Sequence, residues 1–183
     1  MSDDPRFRKT KEAIDKAFFQ LLKKRDFESI SVKDVTELAE INRGTFYRHY
    51  IDKYDWLEQC IDARLKDVLA EGVYLQIGAD PEVVYQVYLN LCRHFDKNYS
   101  FYRMMLNNKG THLFQMRFKA IIIRKMRSDT STEYSGSMEY DFLLNYVASS
   151  ITGILEWWIE NNRPIPVNKM AENMTKLFCS TPL

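Results

Sequence analysis

Residues 31–53 read SVKDVTELAEINRGTFYRHYIDK, and this stretch decides the fold. Ser31-Val-Lys-Asp34 has the form of a capping box with Asp in place of Glu, so a helix should start after Ser31. Val35, Leu38 and Ala39 give that helix its buried side. After a short break at Glu40-Ile41, Asn42 can cap a third helix that ends near Tyr50. Two short helices with a tight break between them describe a helix-turn-helix. On a wheel of 100° per residue, Phe46 and Tyr50 share one side and face a core, with Ile41 just before them. Gly44, Thr45 and Arg48 lie roughly opposite, and Tyr47 and His49 lie on the flanks. Such a face is short, polar and basic, and its glycine lets another surface come close. A major groove needs guanidinium and hydroxyl groups and little bulk. Lys53 opens the fourth helix, where its ammonium and the free amides form a candidate phosphate clamp.

Working outward, a first helix is expected from about Thr10 to Arg25, with Thr10 as its cap. Ala13, Ile14, Ala17, Phe18, Leu21 and Leu22 recur at three-and-four spacing along it. The fourth helix should run from about 52 to 72. Prolines fall only at 5, 81, 164, 166 and 182, so long helices are permitted over 6–80 and 82–163. Asp80-Pro81 reads as a cap followed by proline at the first helical position. Further helices are expected at about 81–97, 100–107, 112–127, 139–162 and 167–179, with a polar loop over 128–138. Hairpin signals are absent. The fold class is therefore all-α. Residues 1–53 form a three-helix DNA-binding head, connected through helix 52–72 to a helical body over 54–183.

The 183 residues carry 26 basic and 25 acidic side chains. Residues 1–53 hold 12 basic and 10 acidic, against 14 and 15 in the remainder. This balance excludes a bulk polycation but leaves room for a local cationic edge. Hydrophobic residues make up 45% and aromatics 14%, which predicts a well-filled core rather than disorder. Apolar runs such as Ala120–Ile123 are too short to span a bilayer, so no membrane partner is expected. Met1–Arg6 lacks the apolar stretch of a signal peptide, and a cytoplasmic location is expected. The three cysteines (60, 92 and 179) form no C-x-x-C pair, and the three histidines have no metal-ligand spacing. No metal and no cofactor is expected. An enzyme would need a convergent set of acids, bases or nucleophiles. The sequence offers no G-x-S-x-G, no phosphate loop and no Cys–His partnership.

Asn42–Lys53, NRGTFYRHYIDK, resembles the recognition-helix signature of the TetR family of bacterial transcription regulators. In that pattern a small residue is followed by Thr or Ser, an apolar residue, Tyr, any residue, His or Tyr and an aromatic, then Lys three residues later. Thr45, Phe46, Tyr47, His49, Tyr50 and Lys53 fall in register, and Phe27–Val35 matches the lead-in. The resemblance covers roughly residues 9–60. It implies that Thr45, Tyr47, His49 and Lys53 bind phosphates. It implies that Arg43, Gly44 and Arg48 face the bases, and that Lys33 reaches the backbone or a base edge. One departure is Glu40, where the family usually has Gly. A glutamate costs roughly 1 kcal/mol in a left-handed turn, so a slightly different turn is expected.

The body is read from its faces. On helix 139–162, Leu143, Val147, Ile151, Ile154 and Trp158 form an apolar stripe. Tyr146, Ser149, Ser150, Gly153 and Trp157 form a second, mostly small, stripe beside it. That arc is too wide for one packing partner. A dimer interface is expected from Tyr146, Ser149, Ser150, Gly153 and Trp157, with Met170 and Met174 from the last helix. The family resemblance also implies such a four-helix dimer. For a small hydrophobic or aromatic ligand the candidates are Tyr88, Phe95, Tyr102, Met105, Phe114 and Phe118. The alternative, that these residues fill the core, stays open. Arg117, Lys119, Arg124, Lys125 and Arg127 point in most directions and read as a solvated helix. The pattern GILEWWIENNRPIP, residues 153–166, loosely resembles a TetR-like subgroup that includes regulators of dihydroxyacetone kinase operons, some of them activators.

The expected function is a sequence-specific, DNA-binding transcriptional regulator. It is expected to act as a homodimer on a palindromic double-stranded operator, as a repressor released by a small ligand. An activator of the same fold, or a helical protein-interaction module, are the alternatives.

Overall fold

The computed structural model describes residues 4–70, 79–106, 111–128 and 137–180. The expected boundary over 72–81 and the loop over 128–138 lie largely outside them. Among the described residues the regular structure is helical, as expected for an all-α chain.

Helix α1 spans Pro5–Leu22. It starts five residues before Thr10 because Asp4-Pro5 supplies the cap: Asp4 Oδ1 accepts from the Arg6 amide at 2.8 Å, and proline needs no partner at the first turn. Thr10 instead donates its hydroxyl to the Arg6 carbonyl. The expected end at Arg25 also moves, to Leu22. A short 3-10 turn at Phe27–Ser29 leads into α2, Val32–Leu38. The capping box is complete: the Asp34 amide donates to Ser31 Oγ at 3.2 Å, and the Ser31 amide donates to Asp34 Oδ2 at 2.8 Å. The Ser31 hydroxyl and amide, with Arg25 alongside, hold the Asp34 carboxyl down at about 2. Val35 and Thr36 supply the buried side of α2. Leu38, expected in the core, is exposed.

The turn after α2 is a Schellman motif. Ile41 N–H reaches the Thr36 carbonyl at 3.0 Å, Glu40 N–H reaches that of Glu37 at 3.3 Å, and Glu40 sits at φ 54°. Glutamate therefore adopts the left-handed conformation usually given to glycine, and the turn keeps its form. Helix α3, Arg43–Phe46, is capped by Asn42, whose Oδ1 accepts from the Thr45 amide at 2.8 Å. Regular helix stops four residues before the expected end at Tyr50, and turns carry the chain through residue 49. Helix α4, Lys53–Ala70, follows Asp52, which accepts from the amides of Tyr54 and Asp55.

These elements close on Ile14, Phe18, Phe46, Tyr50 and Trp56, all buried. Phe18 and Trp56 stack with centroids 3.8 Å apart. Asp15 Oδ1 accepts from both Tyr50 Oη (3.1 Å) and Trp56 Nε1 (2.7 Å). One carboxylate on α1 thus ties the end of the reading segment to α4.

The body comprises α5 (Pro81–Lys97), α6 (Tyr99–Leu106), α7 (Thr111–Ser128), α8 (Met138–Glu160) and α9 (Val167–Ser180). Asp80 caps α5 and Pro81 stands at its first position, as read. Helix α5 packs on α9, and α7 packs on both α8 and α4. Helix α8 ends in a second Schellman turn with Asn162 at φ 60° and Arg163 at φ 57°. The Arg163 guanidinium lies over the Tyr99 ring and pairs with Asp96. Head and body meet where Phe19 contacts Phe101 edge-on, at 6.0 Å, and where Arg64 donates to Asn98 Oδ1. The three thiols are free. Cys92 is buried against Met174, Cys60 is half-buried and Cys179 is exposed. Burial pushes the thiols of Cys60 and Cys92 up to about 12.

Candidate nucleic-acid interface

Helix α3 stands out from the head with Phe46 pressed inward and a polar face outward. Arg43, Gly44, Tyr47 and Arg48 are exposed, and Thr45 is half-buried. Tyr47 keeps 55% of its surface open to solvent. Arg43 and Arg48 make no ion pair among the described residues. A Cβ added at Gly44 would sit at ordinary contact distance, 3.4 Å, from Asn42 Oδ1. Internal packing therefore does not require glycine there, and any need for it lies on the outer side. Lys33 is exposed at the start of α2, 3.7 Å from Glu37 one turn on. The structure thus leaves Lys33, Arg43, Gly44, Tyr47 and Arg48 exposed on α2, α3 and the turns after α3, with Thr45 half-buried among them.

Two residues of the expected set are placed differently. His49 stacks on Phe7 of α1 at 3.9 Å between centroids, and its Nδ1 is enclosed without a hydrogen-bond partner. Desolvation, with the charges of Lys11 and Arg48, lowers its pKa below the ordinary value. That nitrogen is unavailable to a phosphate. Phe7 was not singled out in the sequence, because it lies outside the periodic part of α1. Lys53 turns inward as well. Its ammonium donates to the carbonyls of Phe27 (3.1 Å), Glu28 (2.9 Å) and Ile30 (3.1 Å). An ammonium has three donors, and without DNA all three are taken by these carbonyls, where a clamp open to phosphate was expected.

Comparison with known proteins bears on this head and on the body together. Residues 14–60 match the model of bacterial regulatory proteins of the tetR family, and residues 82–179 match that of a transcriptional regulator C-terminal region. The chain belongs to the TetR family. Among its relatives is an uncharacterised HTH-type transcriptional regulator, YxbF, of Bacillus subtilis, 34% identical over 79 residues. That match spans 43% of this chain but only 20% of the relative. A second is DhaS of Lactococcus lactis, an HTH-type transcriptional activator of the dhaKLM operon. It is 24% identical over 149 residues, 79% of this chain and 76% of that protein. In fold the chain is similar to a TetR transcriptional regulator from Streptococcus agalactiae. That likeness has a TM-score of 0.71 at 24% identity and covers 97% of this chain and 98% of the other.

As a TetR-family member the chain is a DNA-binding transcriptional regulator and not an enzyme. Among the described residues no helix is long and apolar enough to cross a membrane, and no cluster of metal-ligating side chains occurs.

The body of this TetR-family chain treats the remaining candidates unevenly. Tyr88, Phe95, Tyr102, Met105, Phe114 and Phe118 are all buried. Phe95 stacks on Tyr102 at 4.1 Å and Phe114 on Phe118 at 5.7 Å, so the rings occupy the space a ligand was expected to take. His94 is buried beside them, with Nε2 2.8 Å from Tyr102 Oη. A cavity of about 270 Å³ lies instead between α5, α8 and α9, lined by Tyr88, Tyr146, Ser150, Ile154, Met174 and Phe178 among others. Only Tyr88 is common to both sets. On α8, Tyr146, Ser149, Gly153 and Trp157 share an exposed stripe, joined by Phe142, while Ser150 is half-buried. Met170 and Met174 leave the expected interface set. They are 2% and 3% exposed, because α9 turns that face onto α5. The basic run on α7 is also less free than expected. Arg117 pairs with Glu58 and Asp62 of α4, and Arg127 pairs with Asp141 of α8.

Proposed function

We propose that this regulator acts as a homodimer that reads a two-fold symmetric operator. Arg43, Gly44 and Arg48 face the bases, Thr45 and Tyr47 bind phosphates, and Lys33 reaches the backbone beside them. The observation that carries this reading is the exposure of Arg43, on α3, and Arg48, in the turns after it, without an internal ion pair, while Phe46 locks the other side of the segment. Unpaired guanidinium groups on a projecting helix end suit base edges and phosphates. The exposed stripe Phe142–Tyr146–Ser149–Gly153–Trp157 supports dimerisation through α8, since an apolar surface of that kind marks an interaction site. One short helix reads few base pairs, and two copies read a palindrome.

In the same reading a small apolar ligand enters the cavity between α5, α8 and α9 and releases a repressor from its operator. Tyr146 lines both that cavity and the proposed dimer face, so occupancy and dimer geometry would be linked. Activation is the second reading, and the similarity to the activator DhaS favours it. The test is selection of bound fragments from the source genome, followed by footprinting and transcription from the recovered promoters. Two related half-sites are expected. Retention of no fragment at all, or protection of a single unrepeated site, sinks the dimeric-operator reading. The sign of regulation follows from whether transcript falls or rises with added protein.

A further inference from the structure

We infer that the start of α1 is a second DNA-contacting surface, on which Arg6 and Arg8 hold backbone phosphates beside the bases that α3 reads. The inference rests on the DNA-reading face proposed above.

The first turn of α1 overhangs the core of the head. The first buried residue of the helix is Ile14, well beyond that turn. Phe7 nevertheless has a partner of its own: its ring stacks on His49, with centroids 3.9 Å apart. His49 directly follows Arg48 in the turns after α3. One ring contact therefore fixes the start of α1 against the reading segment. Successive residues turn by about 100° around a helix, so Arg6 and Arg8 leave the backbone on either side of Phe7. Both are exposed. Lys11, one turn after Phe7, lies 5.8 Å over the Tyr50 ring and continues the positive edge.

The fold gains nothing from these two arginines. The start of a helix is its positive end, where cations are unfavourable. The first turn of α1 holds no acidic residue to offset them. Arg8 reaches Glu12 only at 3.9 Å, with the two side chains 74% and 68% exposed, a pair that contributes little. Arg6 makes no ion pair among the described residues. Charges that the fold leaves unneutralised suit a polyanion, and duplex DNA presents about one phosphate charge per 1.7 Å of axis. The contact belongs to the side chains, because Asp4 and Pro5 already close the end of the helix. Phosphate contacts of this kind fix register and strengthen binding to any sequence.

The experiment compares full-chain Arg6→Gln/Arg8→Gln with Lys9→Gln, which removes a cation from the far side of the same helix. Affinity for the recovered operator and for a random-sequence duplex is measured over a salt series. The double variant should lose about tenfold or more on both DNAs at about 0.1 M salt, with a slope flatter by about 0.9 for each phosphate contact removed. Ethylation of phosphates should interfere with the parent at backbone positions that no longer matter to the double variant. Lys9→Gln should bind close to the parent. A loss from Lys9→Gln half that of the double variant would make the effect one of net charge and overturn the inference. A parental slope in the double variant would overturn it too. Urea unfolding without DNA gives a separate readout. The double variant should be at least as stable as the parent, because two cations leave the positive end of α1. A less stable variant would assign the arginines to the fold instead. If the parent binds operator and the double variant binds equally well, only this inference fails. If the parent retains no DNA, the reading of α3 fails and takes the inference with it.

Discussion

Arg117 Nη1 lies 2.9 Å from Asp62 Oδ2, joining α7 to α4, the helix that runs out of the head. Its other arm reaches Glu58 one turn earlier on α4. The three side chains are each a third to a half exposed, so each pair contributes at most about 1 kcal/mol at low salt. Arg117→Ala should lower the melting temperature by about 2–4 °C in dilute buffer, with the loss shrinking in about 1 M salt. A double-mutant cycle with Asp62→Asn measures the coupling. Zero coupling at low salt means that the bridge contributes nothing.

Glu40 holds φ 54° at the turn between α2 and α3. Glycine adopts that conformation without the Cβ clash. Glu40→Gly should stabilise the protein by about 1 kcal/mol in urea unfolding, without altering the helix content. A destabilised variant would show that the Glu40 side chain does something the turn geometry does not reveal.

On the reading face, Tyr47 and Arg48 should behave differently. In the proposed role Tyr47 holds a phosphate, so Tyr47→Ala should weaken binding to operator and to random DNA together, by a similar factor. Arg48→Ala should instead relax preference at particular bases, at about 1–3 kcal/mol of lost discrimination. Binding curves across a set of half-site variants decide it. Equal losses on every sequence for Arg48→Ala would remove it from base recognition.

The His49–Phe7 stack gives the head a pH dependence with a definite sign. Desolvation lowers the His49 pKa in the folded protein, so the unfolded chain takes up its proton first as pH falls. The contribution is complete above about pH 6.5, the ordinary histidine value, and is lost as pH drops towards the lowered folded value. Urea unfolding of the parent between about pH 7.5 and pH 5 should show this decline, and His49→Gln should flatten it. Identical slopes for the two proteins would place the decline elsewhere.

Trp157 and Tyr146 stand 46% and 50% exposed on α8, whereas Met174 of α9 is buried against α5. Trp157→Glu should leave each protomer folded and shift the sedimentation profile from dimer to monomer. Met174→Glu should unfold the protomer instead, because it leaves a charge in an apolar core. A Trp157→Glu variant that still sediments as a dimer moves the interface off this stripe.

Much of this is legible in the sequence alone. Ser31–Asp34, Asn42 and Asp80-Pro81 are local signals, and each cap forms where its residues stand. The division between Phe46 inward and Arg48 outward follows from periodicity, because the turns after α3 keep the helical rotation and put the two on opposite sides. What escaped the sequence depends on partners distant in the chain. Whether Met174 meets another subunit or α5 depends on which helix α9 lies against, and a wheel does not carry that. The inward turn of Lys53 depends on carbonyls 23–26 residues earlier, and backbone acceptors leave no mark in a side-chain pattern. Aromatic residues between 88 and 118 suit a cavity wall and a filled core equally well, and only their mutual stacking tells the two apart.

The three thiols differ enough to be separated by their chemistry. With Cys60 and Cys92 raised to about 12, their reactive thiolate fraction at neutral pH is on the order of 10⁻⁵. Exposed Cys179 is then the first site a maleimide reaches, and it lies on the last helix, far in sequence from the reading face. A fluorophore placed there reports on the body without touching the DNA contacts. Under denaturant the order in which Cys60 and Cys92 become reactive would show which half of the molecule opens first.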